Sequence, residues 1–338
     1  MTSTYSTVSR RSVIKGSAAA LGAGLFAPAI IRSARAQSYP SRTINFVCPT
    51  NVGGGVENHA RSFAAVWGKH LGTDFEFEFH PGAAGQVGYE LYVHRKERDG
   101  YNMLFGNIGP EVIMYVTQNP SYRIPEDITY IASTSGVPML IFVGKDSPIQ
   151  TIEELVEEGK RRTVNIATSR LPHPATIGAL ALGGETGADF NLIAFAGGNP
   201  TSIAAISGEV DAAATTANQA IALSDQVRVL CTFKNDPRLN EQLGNPPTAN
   251  DVFGLSLPEL EHNTGLAIHT EVWDNNDEVR EVLSTSIPKV FEDPELKEVY
   301  DRSPVTFDSV SYQDSEQAMA IVQQTIELAN RYKDLIMA

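Results

Sequence analysis

The stretch CPTNVGGGVEN, Cys48 to Asn58, sets a proline and three consecutive glycines between an apolar strand-like run and a helical one. Glycine in such a turn permits positive φ and lets a ligand approach the main chain with no Cβ in the way. The N–H groups left free at the helix start, with the helix dipole behind them, form an anion site. The spacing is not GxGxxG, and no GK[ST] follows, so neither a dinucleotide turn nor a P-loop is encoded. A lone GGG is as well explained by a tight turn without ligand. The same design recurs, however. AFAGGNPTSIAAISGEVD (Ala194 to Asp211) is again strand, Gly197–Gly198 turn and helix start, and ATSRLPHPAT (Ala167 to Thr176) is a third strand-to-helix loop carrying Ser169, Arg170 and His173. Three such loops facing one cleft would hold a carboxylate on main-chain donors. Ser169 and Ser202 lack a GxSxG elbow. Glu57, in the first turn of a helix, reads as a carboxylate that fixes the loop.

The elements that must position these loops alternate along the chain. Phe75 to Phe79 (FEFEF) has period two and predicts a half-buried strand. Ala60, Phe63, Ala64, Trp67 and Leu71 form one apolar helical face closed by Gly72. Strand-like runs follow at Asn102 to Gly106, Ile128 to Ser133, Met139 to Gly144, Val164 to Ala167, Phe190 to Phe195, Asp211 to Thr215 and Val227 to Phe233. TIEE at Thr151 is a capping-box signature for a helix to Arg162, and a long helix is expected over Ser311 to Ile336. Strand and helix in alternation predict an α/β protein with largely parallel sheets.

Residues 1–36 read as an export signal: Arg10, Arg11 and Lys15, an Ala/Gly-rich apolar run, then ARA at Ala34 to Ala36. The arginine pair points to the twin-arginine route, and cleavage would leave a periplasmic protein. The segment holds five basic residues and no acid, so the formal net charge of −14 becomes −19 without it. Such a chain repels nucleic acid at long range, so any anion must be held by local dipoles or a few cations. Histidines 59, 70, 80, 94, 173, 262 and 269 form no HxxH or Cys/His cluster, and no metal or other cofactor is expected. Cys48 and Cys231 each lie in an apolar run, which favours two buried thiols while leaving a disulfide open in an oxidising compartment.

The mature chain resembles the periplasmic solute-binding proteins of tripartite tricarboxylate transporters, the Bug family, along nearly its whole length. The resemblance is carried by YPSRTINFVCPTNVGGGVENHAR (Tyr39 to Arg61), HPGAAGQVG (His80 to Gly88), DGYNMLFGN (Asp99 to Asn107) and AGGNPTSIAAISGEVDAA (Ala196 to Ala213) in this order. It implies a type II periplasmic-binding fold, two α/β domains joined by a hinge around a ligand cleft. The expected divisions are residues 37–140 plus 256–338 and residues 141–255. It also implies a carboxylate seated on the loop Thr50 to Glu57 (Thr50, Asn51, Gly53, Gly54, Gly55, Glu57). The partner loop is Thr168 to Thr176 (Thr168, Ser169, Arg170, His173), and Gly197, Gly198, Thr215 and Thr216 line the same cleft. This chain departs from the family pattern at Thr50, where an aromatic residue is usual, at Glu57, where Asp is usual, and in a partner loop containing Arg170, Pro172, His173 and Pro174.

The expected function is therefore capture of a small organic carboxylate and its delivery to the permease subunits of a tripartite tricarboxylate transporter, with no catalysis, no nucleic acid and a monomer as the default state. Two rivals are a periplasmic enzyme exported in folded form and a ligand-sensing subunit for a membrane signalling partner. The first lacks any CxxCH, Cys cluster or dinucleotide motif. Nothing in one chain separates the second from uptake. Arg170 or His173 is expected to meet a second carboxylate or polar group at the far end of the ligand, the alternative being that Arg170 points to solvent.

Overall fold

The computed structural model describes residues 38–337; the export signal expected over residues 1–36 lies outside the described residues. The strands are β1 (Ile44–Cys48), β2 (Phe75–Phe79), β3 (Asn102–Asn107), β4 (Ile128–Gly144), β5 (Val164–Thr168), β6 (Phe190–Ala194), β7 (Ala212–Thr216), β8 (Val227–Thr232), β9 (Glu261–His269) and β10 (Val310–Gln313). They order as β2-β1-β3-β9-β4-β7-β5-β6, with β8 and β10 also on β4.

Two parallel groups form, β1 with β2 and β3, and β5 with β6 and β7. Antiparallel strands connect them: β9 lies against β3 and β4, and β4 against β7, β8 and β10. The sheet is thus mixed where alternation predicts a largely parallel one. Side-chain period is the same in either direction, so local pattern does not encode strand polarity.

The runs Ile128 to Ser133 and Met139 to Gly144, read as two strands, are one strand of 17 residues buried throughout. Its partner is β9 from Ile128 (opposite His269) to Pro138 (opposite Glu261), and from Met139 onward its partners are β7 and β8. The exchange falls at Pro138 because proline has no N–H with which to extend a ladder. One continuous strand therefore belongs to both halves of the molecule.

Each half has its own core. On one side, helix Gly55–Leu71 lays Ala60, Phe63, Ala64 and Trp67 against β1, and Trp67 stacks on both Phe46 and Phe75. Trp67 Nε1 donates to Ser286 Oγ at 2.9 Å, so the buried indole leaves no orphan donor. Each ring fully buried here contributes roughly 2–3 kcal/mol. The helix ends at Gly72, whose φ of 66° turns its N–H back to the Gly68 carbonyl. On the other side, Met139, Ile141, Val164, Ile166, Ala212 and Leu230 pack together, covered by a helix (Ile152–Arg161) that Thr151 caps through the Glu154 N–H.

Cys48 and Cys231 are free and sit in separate cores. Burial pushes both thiols up to about 12, so neither forms a thiolate at neutral pH. The C-terminal stretch, expected as one helix, divides into β10, a helix (Ser315–Arg331) opened by an Asp314–Gln317 capping box, and a last turn (Lys333–Met337). Ile336 joins Ile113, Ile177 and Ala329 in a small cluster between helices Ile108–Gln118 and Pro174–Thr186.

Candidate functional site

The loops singled out in the sequence open onto one cleft of about 750 Å³. Thr50, Asn51, Gly53, Gly54 and Gly55 line one wall; Ser169, Arg170, His173, Gly197, Gly198, Thr215 and Thr216 line another. Glu57 and Thr168 stand behind the surface. The Glu57 carboxylate accepts the Gly53 N–H at 2.5 Å and ion-pairs with Arg61 at 2.7 Å. These bonds, the Gly53 one foremost, hold its pKa below the usual carboxylate range. Its task is to fold the glycine loop, in which Gly53 takes a φ of 83° that a β-carbon would strain. Thr168 is likewise internal: its Oγ1 donates to the Arg170 carbonyl at 3.3 Å and lies 2.8 Å from Thr176 Oγ1.

The capping of the helices sorts by position. Away from the cleft, the helices starting at Ile152, Ala249, Asp277, Pro294 and Ser315 have side-chain caps from Thr151, Thr248, Asn276, Asp293 and Asp314. At the cleft, the helices following Gly54, Gly85, Asn107 and Gly197 have none. Their first-turn N–H groups are orphan donors, and the positive ends of their dipoles converge on the cavity. There are two exceptions: helix Thr270–Asn275, away from the cleft, has no side-chain cap, and His173, which lines the cleft, caps its own helix by accepting the Ala175 N–H on Nδ1 at 3.2 Å. That bond places the ring proton on Nε2, a donor. Burial first, then His262 and Arg170, holds His173 far below the usual histidine range, and burial takes His262 down to about 4. The two stacked rings, 5.9 Å apart, are therefore neutral at pH 7.

Arg170 points neither to solvent nor into open cleft. Its Nη1 donates to the Ala84 carbonyl at 3.3 Å and lies 3.7 Å from Glu111 Oε1. Both partners come from the opposite wall: Ala84 from the turn Gly82–Gly85, where four successive residues have positive φ, and Glu111 from the first turn of helix Ile108–Gln118. Glu111 is 1% exposed. Asn107 Nδ2 donates to its Oε1 at 3.3 Å, while its Oε2 has no partner. Burial raises its pKa to about 7, against the opposing pull of Arg170.

Several lining residues escaped the sequence reading: Gly82, Ala84, Gly85, Asn107, His262 and Val305 among them. Asn107 was within reach, since FGNIGPE repeats the strand-then-helix-start design; His262 and Val305 come from segments without that signature. His59 also reaches the cleft and ties it to the scaffold. Tyr300 Oη lies 2.6 Å from its Nδ1, its Nε2 lies 2.8 Å from Thr134 Oγ1, and Thr134 donates to the Thr264 carbonyl at 3.1 Å. Because Thr134 spends its proton on Thr264, His59 donates from Nε2 and accepts from Tyr300. Among the described residues no group of three or more His, Cys, Asp or Glu side chains is placed to hold a metal ion.

A cleft floored by one shared strand, walled by glycine turns and fed by uncapped helix starts defines a solute-binding fold of the type II periplasmic-binding class. The chain belongs to the family described as tripartite tricarboxylate transporter family receptor, whose profile matches residues 59–338. A UPF0065 protein of Bordetella bronchiseptica is 31% identical over 194 residues, 55% of this chain and 57% of that one. The chain spans a little over half the length of the first curated relatives it matches. Two solved structures share the fold: a Rhodopseudomonas palustris protein with adipate (TM-score 0.73, 17% identity, 88% of this chain and 98% of that one) and MatC of Rhodopseudomonas palustris with bound malate (TM-score 0.69, 21% identity, 88% of this chain and all of that one, 100%).

Proposed function

We propose that this protein captures a small organic carboxylate in the cleft and presents it to the membrane subunits of a tripartite tricarboxylate transporter, working in the periplasm after export by the twin-arginine route. The observation that carries the reading is the selective loss of side-chain caps at helix starts that face the cavity, in a chain of net charge −14. Backbone N–H groups donate to a carboxylate without making the protein a general anion trap. Charge-assisted bonds of this kind contribute roughly 1.5–3 kcal/mol each. The dicarboxylates bound by the two structural relatives support the class of ligand. Binding and release require no covalent step, and the reading assigns none.

In this reading the domains are residues 37–140 with 256–338 and residues 141–255. The chain crosses between them near Pro138, where β4 exchanges partners. Ligand contacts made to both walls at once favour the closed form. A thermal-shift screen against mono-, di- and tricarboxylates tests the proposal: an acid that binds the folded state raises the melting temperature, by an amount that grows with the logarithm of its concentration over Kd. Shifts with amines or sugars and none with any acid overturn it.

A further inference from the structure

We propose that Glu111 takes up a proton when a carboxylate binds, so that the cleft captures the anion together with a proton. The inference rests on the carboxylate reading above and adds to it a residue that contributes through Arg170.

The geometry makes one cation serve two carboxyl groups. Arg170 belongs to the loop after β5 and lines the cleft, while its guanidinium reaches across to Glu111 on the opposite wall. Glu111 is fully enclosed. Gly85 packs so closely that a β-carbon there would lie 3.2 Å from Glu111 Cγ. Tyr89 from helix Gln86–Arg95, Tyr122 and, from β4, Tyr130 face it as phenols that burial keeps protonated. Helix Ser315–Arg331 contributes Ala318 and Val322 to the apolar cluster that also holds Val112 of Glu111's own helix. His173 and His262 lie beside Arg170 and are neutral. Arg170 is thus the one charged partner of Glu111 among the described residues.

A ligand carboxylate entering beside Arg170 competes for that guanidinium. If Arg170 turns to the ligand, an ionised Glu111 is left buried with no charged partner, held only by the Asn107 side-chain N–H and the backbone N–H groups of Asn107 and Glu111, with nothing bonded to Oε2. A proton on Oε2 removes the charge. The count balances: before binding, Arg170 cation and Glu111 anion; afterwards, Arg170 cation, ligand carboxylate anion and neutral Glu111, with one proton drawn from solvent.

Isothermal titration of the protein with malate and with adipate, in buffers of different ionisation enthalpy at pH 7.5, reads the proton directly. We expect uptake of between about half and three quarters of a proton per ligand, falling to none in Glu111→Gln. Arg170→Ala, already lacking the counter-ion, should carry Glu111 protonated before ligand arrives. In that variant the Glu111 carboxyl, followed by carbon-13 NMR without ligand, should titrate at higher pH than in the wild type. Heat of binding with no buffer dependence overturns the coupling and leaves the carboxylate reading standing. An unshifted Glu111 titration in Arg170→Ala also overturns the coupling, whatever binds. No heat and no thermal shift with any acid overturns the carboxylate reading and the coupling with it.

Discussion

Burial raises the Glu111 carboxyl to about 7, and the Arg170 guanidinium 3.7 Å away opposes that shift without cancelling it. The consequence for stability has a definite sign. Below about pH 4.5 both folded and unfolded chains carry the proton. Between about 4.5 and 7 the unfolded chain loses it while the folded chain keeps it, so stability falls as pH rises. Above 7 the penalty is constant at about 3 kcal/mol. Glu111→Gln, which keeps the shape and removes the charge, should therefore gain on the wild type by about 2.5 kcal/mol between pH 5 and pH 8. Urea unfolding at the two pH values measures it; parallel behaviour of the two proteins would mean that Glu111 is no more protonated in the fold than outside it. The residue was invisible in the sequence because Glu111 reads as an ordinary first-turn acid. Only the approach of Gly85 and the tyrosines from separate elements turns it into a buried one.

At the level of elements, helix starts are chemically alike and are distinguished by whether a side chain fills them. Gly54 precedes helix Gly55–Leu71 in an extended conformation (φ −87°, ψ 174°) that any residue adopts, and a β-carbon there meets only the Asn51 carbonyl at 3.6 Å. Gly54→Asp should consequently fold well. It supplies the missing cap, a gain of a few tenths of a kcal/mol in stability, and sets its own carboxylate where the ligand's belongs. We expect carboxylate affinity to drop by at least about tenfold, or about 1.4 kcal/mol, while the ligand-free melting temperature holds or rises. Unimpaired binding would show that this loop is not where the anion sits. The glycine and capping patterns of these loops were legible in the sequence because turn chemistry is local. The path of β4 was not: Thr134 to Pro138 falls between two separate strand-like runs in the sequence and joins them into one strand because β9 offers it a partner.

For the whole molecule, a net charge of −14 and a site for an anion act against each other. Steered association slows as salt is added; here the long-range field repels the ligand, so screening should help it arrive. We predict that the association rate of a dicarboxylate rises as ionic strength goes from about 10 mM to about 150 mM, as followed by stopped-flow fluorescence. A falling rate would point to a positive local field large enough to dominate the approach.

The order of residues was enough to specify the α/β class, the family pattern and the glycine-bearing turns, because each depends on neighbours a few positions apart. Strand polarity, the exchange of partners at Pro138, the meeting of Arg170 with Glu111 and the retreat of Glu57 and Thr168 behind the cleft surface were settled by folding alone. Each of these arises from packing between segments far apart in the chain, where burial and the available partners, rather than local preference, decide what a side chain does.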